Sequence, residues 1–87
     1  MIIVSQDKKT IVNFDKVKSI WIDDNVLDKT NTEFEICAGG ETLGYYKTEE
    51  RAKEVLEDIS LRYEAIELCK LGYTIGDYTP IYEMPKE

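Results

Sequence analysis

The sequence predicts an α+β domain: an antiparallel sheet of about five strands with one long helix packed on one face, followed by an extended C-terminal segment. Three observations predict it. Residues 47–72 place apolar side chains at helical spacing on one stripe. Residues 1–46 hold short runs of β-branched and aromatic residues separated by turn chemistry. Residues 73–87 carry too much Tyr, Ile and Met for a disordered tail, while Pro80 and Pro85 exclude a helix there. The expected organisation is therefore one domain over 1–87, with strands in 1–46, the helix over 48–71 and an ordered tail over 73–87.

Taken in order, residues 2–4 and 10–14 read as two strands of a hairpin, joined by the polar turn at 6–9. Residues 17–22 form a third strand, with Ile20 and Ile22 on one face and Val17, Ser19 and Trp21 on the other. Residues 23–32 read as a polar loop. Its Asp23, Asp24, Asn25 and Asp28 invite a calcium reading, but the loop lacks the central Gly of an EF-hand, so a solvated connection is expected and no metal site. Residues 33–38 alternate strictly, with Phe34, Ile36 and Ala38 on one side and Glu33, Glu35 and Cys37 on the other. Gly39-Gly40 marks a tight hairpin rather than a phosphate cradle, because both residues accept positive φ. The return strand over 41–46 should place Leu43 and Tyr45 on one face and Thr42, Gly44 and Tyr46 on the other. Gly44 weakens it and signals a bulge or a close backbone approach.

The helix has its own punctuation. Thr48 is the expected N-cap, Glu49 and Glu50 suit the positive end of the dipole, Lys70 suits the negative end, and Gly72 is the expected stop. Glu49/Lys53 and Asp58/Arg62 stand as i,i+4 pairs. Ala52, Val55, Leu56, Ile59, Tyr63 and Ile66 form the core-facing stripe. The opposite face begins acidic with Glu50, Glu54 and Glu57, then turns apolar with Leu61, Ala65 and Leu68. A lone surface helix has no use for that second apolar patch. It is covered either by the C-terminal segment or by another copy of the chain, which makes Leu61, Ala65 and Leu68 candidate interface residues of a homo-oligomer.

Composition narrows the chemistry. The 87-residue chain has a net charge of −7, which argues against a nucleic-acid phosphate binder and favours basic protein partners. No apolar run is long enough to span a membrane, and no secretory signal pattern is present, so a cytoplasmic protein is expected. There is no histidine, and Cys37 and Cys69 lack metal-ligand spacing. They read as free thiols of a reducing compartment. No nucleophile–base pair or cofactor motif stands out, so neither enzymatic activity nor a cofactor is expected.

What remains is surface. Trp21 and the tyrosines Tyr45, Tyr46, Tyr63, Tyr73, Tyr78 and Tyr82 are numerous for the length, and the available cations are Lys8, Lys9, Lys47, Arg51 and Arg62. Aromatic rings beside cations can stack a base and hold phosphates. Lys47 and Arg51 flank a helix N-terminus, which favours anions, although Glu49 and Glu50 oppose them. Tyr45, Tyr46, Lys47, Arg51 and Tyr82 are the resulting candidates for a pocket, set against the plainer reading in which the rings fill core and tail packing.

The stretches MIIVSQDKKTIVNFDKV, LGYYKTEERAKEVLEDI and YEMPKE resemble small uncharacterised proteins of Firmicutes prophages and other mobile elements. The resemblance covers about half the chain and carries no catalytic residues. It implies a cytoplasmic accessory protein of the host cell that counters immunity. One such role is sequestration of a nucleotide-derived immune signal. The alternative is an acidic inhibitor that blocks a host defence protein through Glu50, Glu54, Glu57 and Asp58, or else a structural or regulatory interaction module.

Overall fold

The computed structural model describes residues 1–26, 32–72 and 81–87. Residues 27–31 of the expected polar loop, with Asp28, and residues 73–80 of the tail, with Tyr73, Ile75 and Tyr78, lie outside the described residues. The elements run β1 (Ile2–Val4), β2 (Ile11–Asn13), a 3-10 turn (Phe14–Lys16), β3 (Ile20–Val26), β4 (Thr32–Ala38), β5 (Glu41–Tyr46), α1 (Glu49–Lys70) and β6 (Ile81–Glu83).

The α+β content agrees with the sequence, but the single five-stranded antiparallel sheet is corrected. The strands form two three-stranded sheets, ordered β2-β1-β6 and β3-β4-β5. β1 pairs antiparallel with β2 and parallel with β6. A parallel partner needs a long crossover, and α1 is part of the chain that carries β5 round to β6. Residues 81–83 thus form a sheet edge, with Tyr82 and the following Met84 buried and Ile81 and Glu83 outside.

Both hairpin turns follow from local chemistry. Between β1 and β2, Ser5 Oγ donates to Asp7 Oδ1 at 2.6 Å and accepts from the Thr10 N–H at 3.0 Å, so this buried hydroxyl is fully used. Between β4 and β5, Gly39 and Gly40 take φ values of +61° and +81°, as a two-residue primed turn demands.

β3 is displaced from its expected position. The ladder with β4 runs from Ile20↔Ala38 to Val26↔Thr32, so Asp23, Asp24 and Asn25 belong to a strand and not to a loop. Polar residues propose a loop when read locally. Here the regular alternation of β4 supplies a template for the full length, and β3 follows it into solvent. The two faces of β5 are corrected as well. A register irregularity opposite Ile36 and Cys37 brings Leu43 and Tyr46 both into the core and leaves Tyr45 outside.

The helix matches its signals. Thr48 Oγ1 accepts from the Arg51 N–H at 3.1 Å, and Gly72 stops the helix at φ +94°. Glu49 and Lys53 pair at 3.2 Å. The guanidinium of Arg62 lies 5.8 Å from the Tyr82 ring centroid. Ala52, Val55, Ile59 and Ile66 are buried on the predicted stripe, with Tyr63 packed at the margin of the core and edge-on to Phe14 at 5.1 Å. They meet Ile3, Ile36, Leu43 and Tyr46 in one core that joins both sheets to the helix. Each fully buried aliphatic side chain there contributes about 1.5–3 kcal/mol. Among the described residues, no helix is long and apolar enough to cross a membrane.

Candidate functional site: a hollow at the helix N-terminus

Where the two sheets meet, Gln6 acts as the clamp. Its N–H donates to the Leu43 carbonyl at 2.7 Å, continuing β1 toward β5. Its side-chain amide then pairs with the Tyr45 backbone, Oε1 accepting from the N–H at 2.8 Å and Nε2 donating to the carbonyl at 3.0 Å. The same Nε2 donates to the Lys86 carbonyl at 2.6 Å. Gly44 permits this approach, since a Cβ there would sit 3.2 Å from Gln6 Cβ and from Tyr46 Oη. Gln6 thereby holds the end of β5 and residues 85–86 together, and Arg51 of α1 joins them through Glu87.

Between them lies a hollow of about 270 Å³, lined by Glu33, Tyr45, Tyr46, Lys47, Thr48, Arg51, Lys86 and Glu87. Four of the five sequence-predicted pocket residues meet here: Tyr45, Tyr46, Lys47 and Arg51. They serve different purposes. Tyr45 is 43% exposed, and its backbone is fixed by Gln6, so it offers an open ring on a rigid strand. Tyr46 is 2% exposed and belongs to the core. Its hydroxyl donates to the Pro85 carbonyl at 2.8 Å, and burial pushes its pKa up to about 12. Tyr46 is therefore a wall rather than a stacking surface. Arg51 is already engaged, with Nη1 on Glu54 Oε2 at 3.1 Å and Nε on the Glu87 carbonyl at 2.8 Å.

Tyr82 lies apart. It borders a second hollow of about 300 Å³ with Asp58, Leu61 and Arg62, on the outer side of the helix. Burial raises its pKa, Asp58 adds to the shift, and Arg51 and Arg62 oppose it. Of the candidate interface residues, Leu61 is 55% exposed, while Ala65 and Leu68 are half-buried.

Sequence reasoning missed Lys86, Glu33 and Glu87 at the hollow, and Gln6 behind it. Lys86 stands only two residues from buried Met84, and that proximity to an apolar anchor was the available signal. Sequence reasoning also expected no metal site. The register of β3 and β4 nevertheless brings donor atoms of Asp23, Glu35 and Cys37 within 4.8 Å of one another on the outer face of the sheet. Asp23 Oδ2 there accepts from Trp21 Nε1 at 2.9 Å, and Glu35 Oε2 from Thr42 Oγ1 at 3.1 Å. Burial, and then Glu35, raise the pKa of the Cys37 thiol. Both cysteines are free.

No protein-family model, curated protein or solved structure matches the chain.

Proposed function

We propose that this is a non-catalytic binding protein that sequesters a nucleotide-derived signal in the hollow at the helix N-terminus. The observation that carries the reading is the open ring of Tyr45, on a backbone held by Gln6, beside Lys47, Arg51 and Lys86. Tyr45 would stack a base or another planar group, and the cations beside the helix N-terminus would take its phosphate. Glu33 and Glu87 limit the charge the hollow tolerates, and Arg51 must exchange the Glu87 carbonyl for the ligand. A volume of about 270 Å³ lies just below the usual range of ligand pockets, roughly 300 to 1,000 Å³. One nucleotide unit suits it. A dinucleotide would need a second protomer, which a homo-oligomer formed through Leu61, Ala65 and Leu68 would supply. The counter-defence role, in the host cytoplasm, rests on the resemblance to mobile-element proteins.

Calorimetry with nucleoside monophosphates, cyclic dinucleotides and ADP-ribose derivatives tests this. Binding heat that disappears in Tyr45→Ala and in Lys47→Ala is expected. Absence of heat from the whole panel at micromolar protein removes the proposal.

A second reading is favoured by the helix surface. Glu50, Glu54, Glu57 and Asp58 are all exposed, as an acidic inhibitor of a basic host protein would require. Charge reversal at Glu54 and Glu57 should then weaken capture of the partner, and unchanged capture would count against it.

A further inference from the structure

Among the described residues, β3 is the outer strand of its sheet, bonded to β4 on one side only. Such an edge presents unpaired backbone N–H and C=O groups, a template for an added strand. Its middle carries Asp23 and Asp24, both exposed, and its ends carry Trp21 at 40% and Val26 at 67% exposure. The strand beside it adds Glu33 and Glu35, and neither strand contains a Lys or Arg. Among the described residues no cation pairs with any of these four carboxylates. The helix differs, since Glu49, Glu54 and Glu67 each have a cation of their own helix within 3.2 Å. Asp23 and Glu35 stand directly opposite each other, a like-charge cross-strand pair that destabilises the sheet by itself.

We propose that the free edge of β3 takes up an extended basic segment of another protein by strand addition. Two consecutive Lys or Arg in the middle of the incoming strand would lie beside Asp23 on one face and Asp24 on the other, with flanking apolar side chains against Trp21 and Val26. Charge selects this occupant over a second copy of the chain. Antiparallel self-pairing centred on β3 would set Asp23 and Asp24 of one copy against those of the other. A guard against aggregation would need only the charges, whereas the exposed Trp21 and Val26 beside them give an arriving strand apolar contacts.

Trp21 is the chain's only tryptophan, so its emission reports on this edge. The probes are two short synthetic peptides, one with a central Lys-Lys pair flanked by Val and one with a central Glu-Glu pair flanked by Val. The Lys/Val peptide should shift Trp21 emission and the backbone amide resonances of β3. Binding should weaken as salt is raised to roughly 1 M, where the Debye length falls to about 3 Å. The Asp23→Asn/Asp24→Asn double variant, both positions being exposed, should keep the fold and bind on the order of tenfold more weakly. The proposal is overturned by equal binding of the Glu/Val peptide, or by a Lys/Val peptide that shifts amides of the helix and not of β3. Absence of any β3 shift would overturn it too, as would concentration-dependent β3 shifts of the protein alone, which would assign the edge to a second copy.

Discussion

On the β5 side of the β3-β4-β5 sheet, the backbone of Tyr45 is held on both its N–H and its carbonyl by Gln6, and Tyr46 beside it is buried against Pro85. At the same end of the sheet, on the β3 side, Asn25↔Glu33 and Val26↔Thr32 extend past the last β5 partner as a two-stranded arm, with Val26 open to solvent. The two regions adjoin, yet they differ in what fixes them. The first is set by contacts from β1 and the C-terminal residues, the second, among the described residues, by its own ladder. A rigid strand end suits a preformed pocket. An open edge suits a partner that completes it.

The comparison breaks most clearly in the core. Ile59→Ala, at a position 1% exposed, should cost about 2–5 kcal/mol in urea denaturation. Val26→Ala on the arm should stay within about 0.5 kcal/mol of the parent chain. If the two losses are similar, the arm is as tightly built as the core and the contrast fails.

Gly44→Val probes the clamp. Its new Cβ would meet Gln6 Cβ and Tyr46 Oη at 3.2 Å, and neither neighbour is the free end of a flexible chain, so a loss of about 1–3 kcal/mol is expected. Ligand heat at the hollow should fall with it, because Tyr45 would lose its fixed backbone, while peptide binding at β3 should persist.

Tyr46→Phe removes the shorter of two bonds to the Pro85 carbonyl, leaving that from Gln6 Nε2 at 3.3 Å, and should cost about 0.5–1.5 kcal/mol. The parent chain should also show a specific alkaline weakness. The fold favours the neutral phenol, so the native state keeps a proton that the unfolded chain releases near pH 10.0. This contribution is complete below pH 10.0 and declines as the pH rises to about 12. Denaturation curves across that window should flatten in Tyr46→Phe, and an unchanged slope would mean that another group governs it.

The smallest effect is chemical. Cys69 is exposed near the end of α1, whereas Cys37 is buried and its thiol pKa is raised. A thiol reagent at neutral pH should modify Cys69 first and reach Cys37 only as the sheet opens. Equal rates would show that the sheet face is looser than its burial implies.

Short-range physics controls the features legible in the order of residues. Thr48, Gly72 and the 3-4 stripe set the helix, Gly39-Gly40 set a hairpin, and the Tyr45-to-Arg51 stretch came together because its residues are close in the chain and span a strand end and a helix start. Tertiary structure decided what depends on distant partners. The parallel pairing of β6 with β1, the reach of Gln6 to Tyr45 and Lys86, the separation of Tyr82 from the hollow and the extension of β3 through Asp23 to Val26 all follow from long-range contacts. Periodicity along a chain says which side of an element is apolar. It does not say which strand lies alongside, because backbone pairing is nearly independent of residue type and is settled by how the whole core closes.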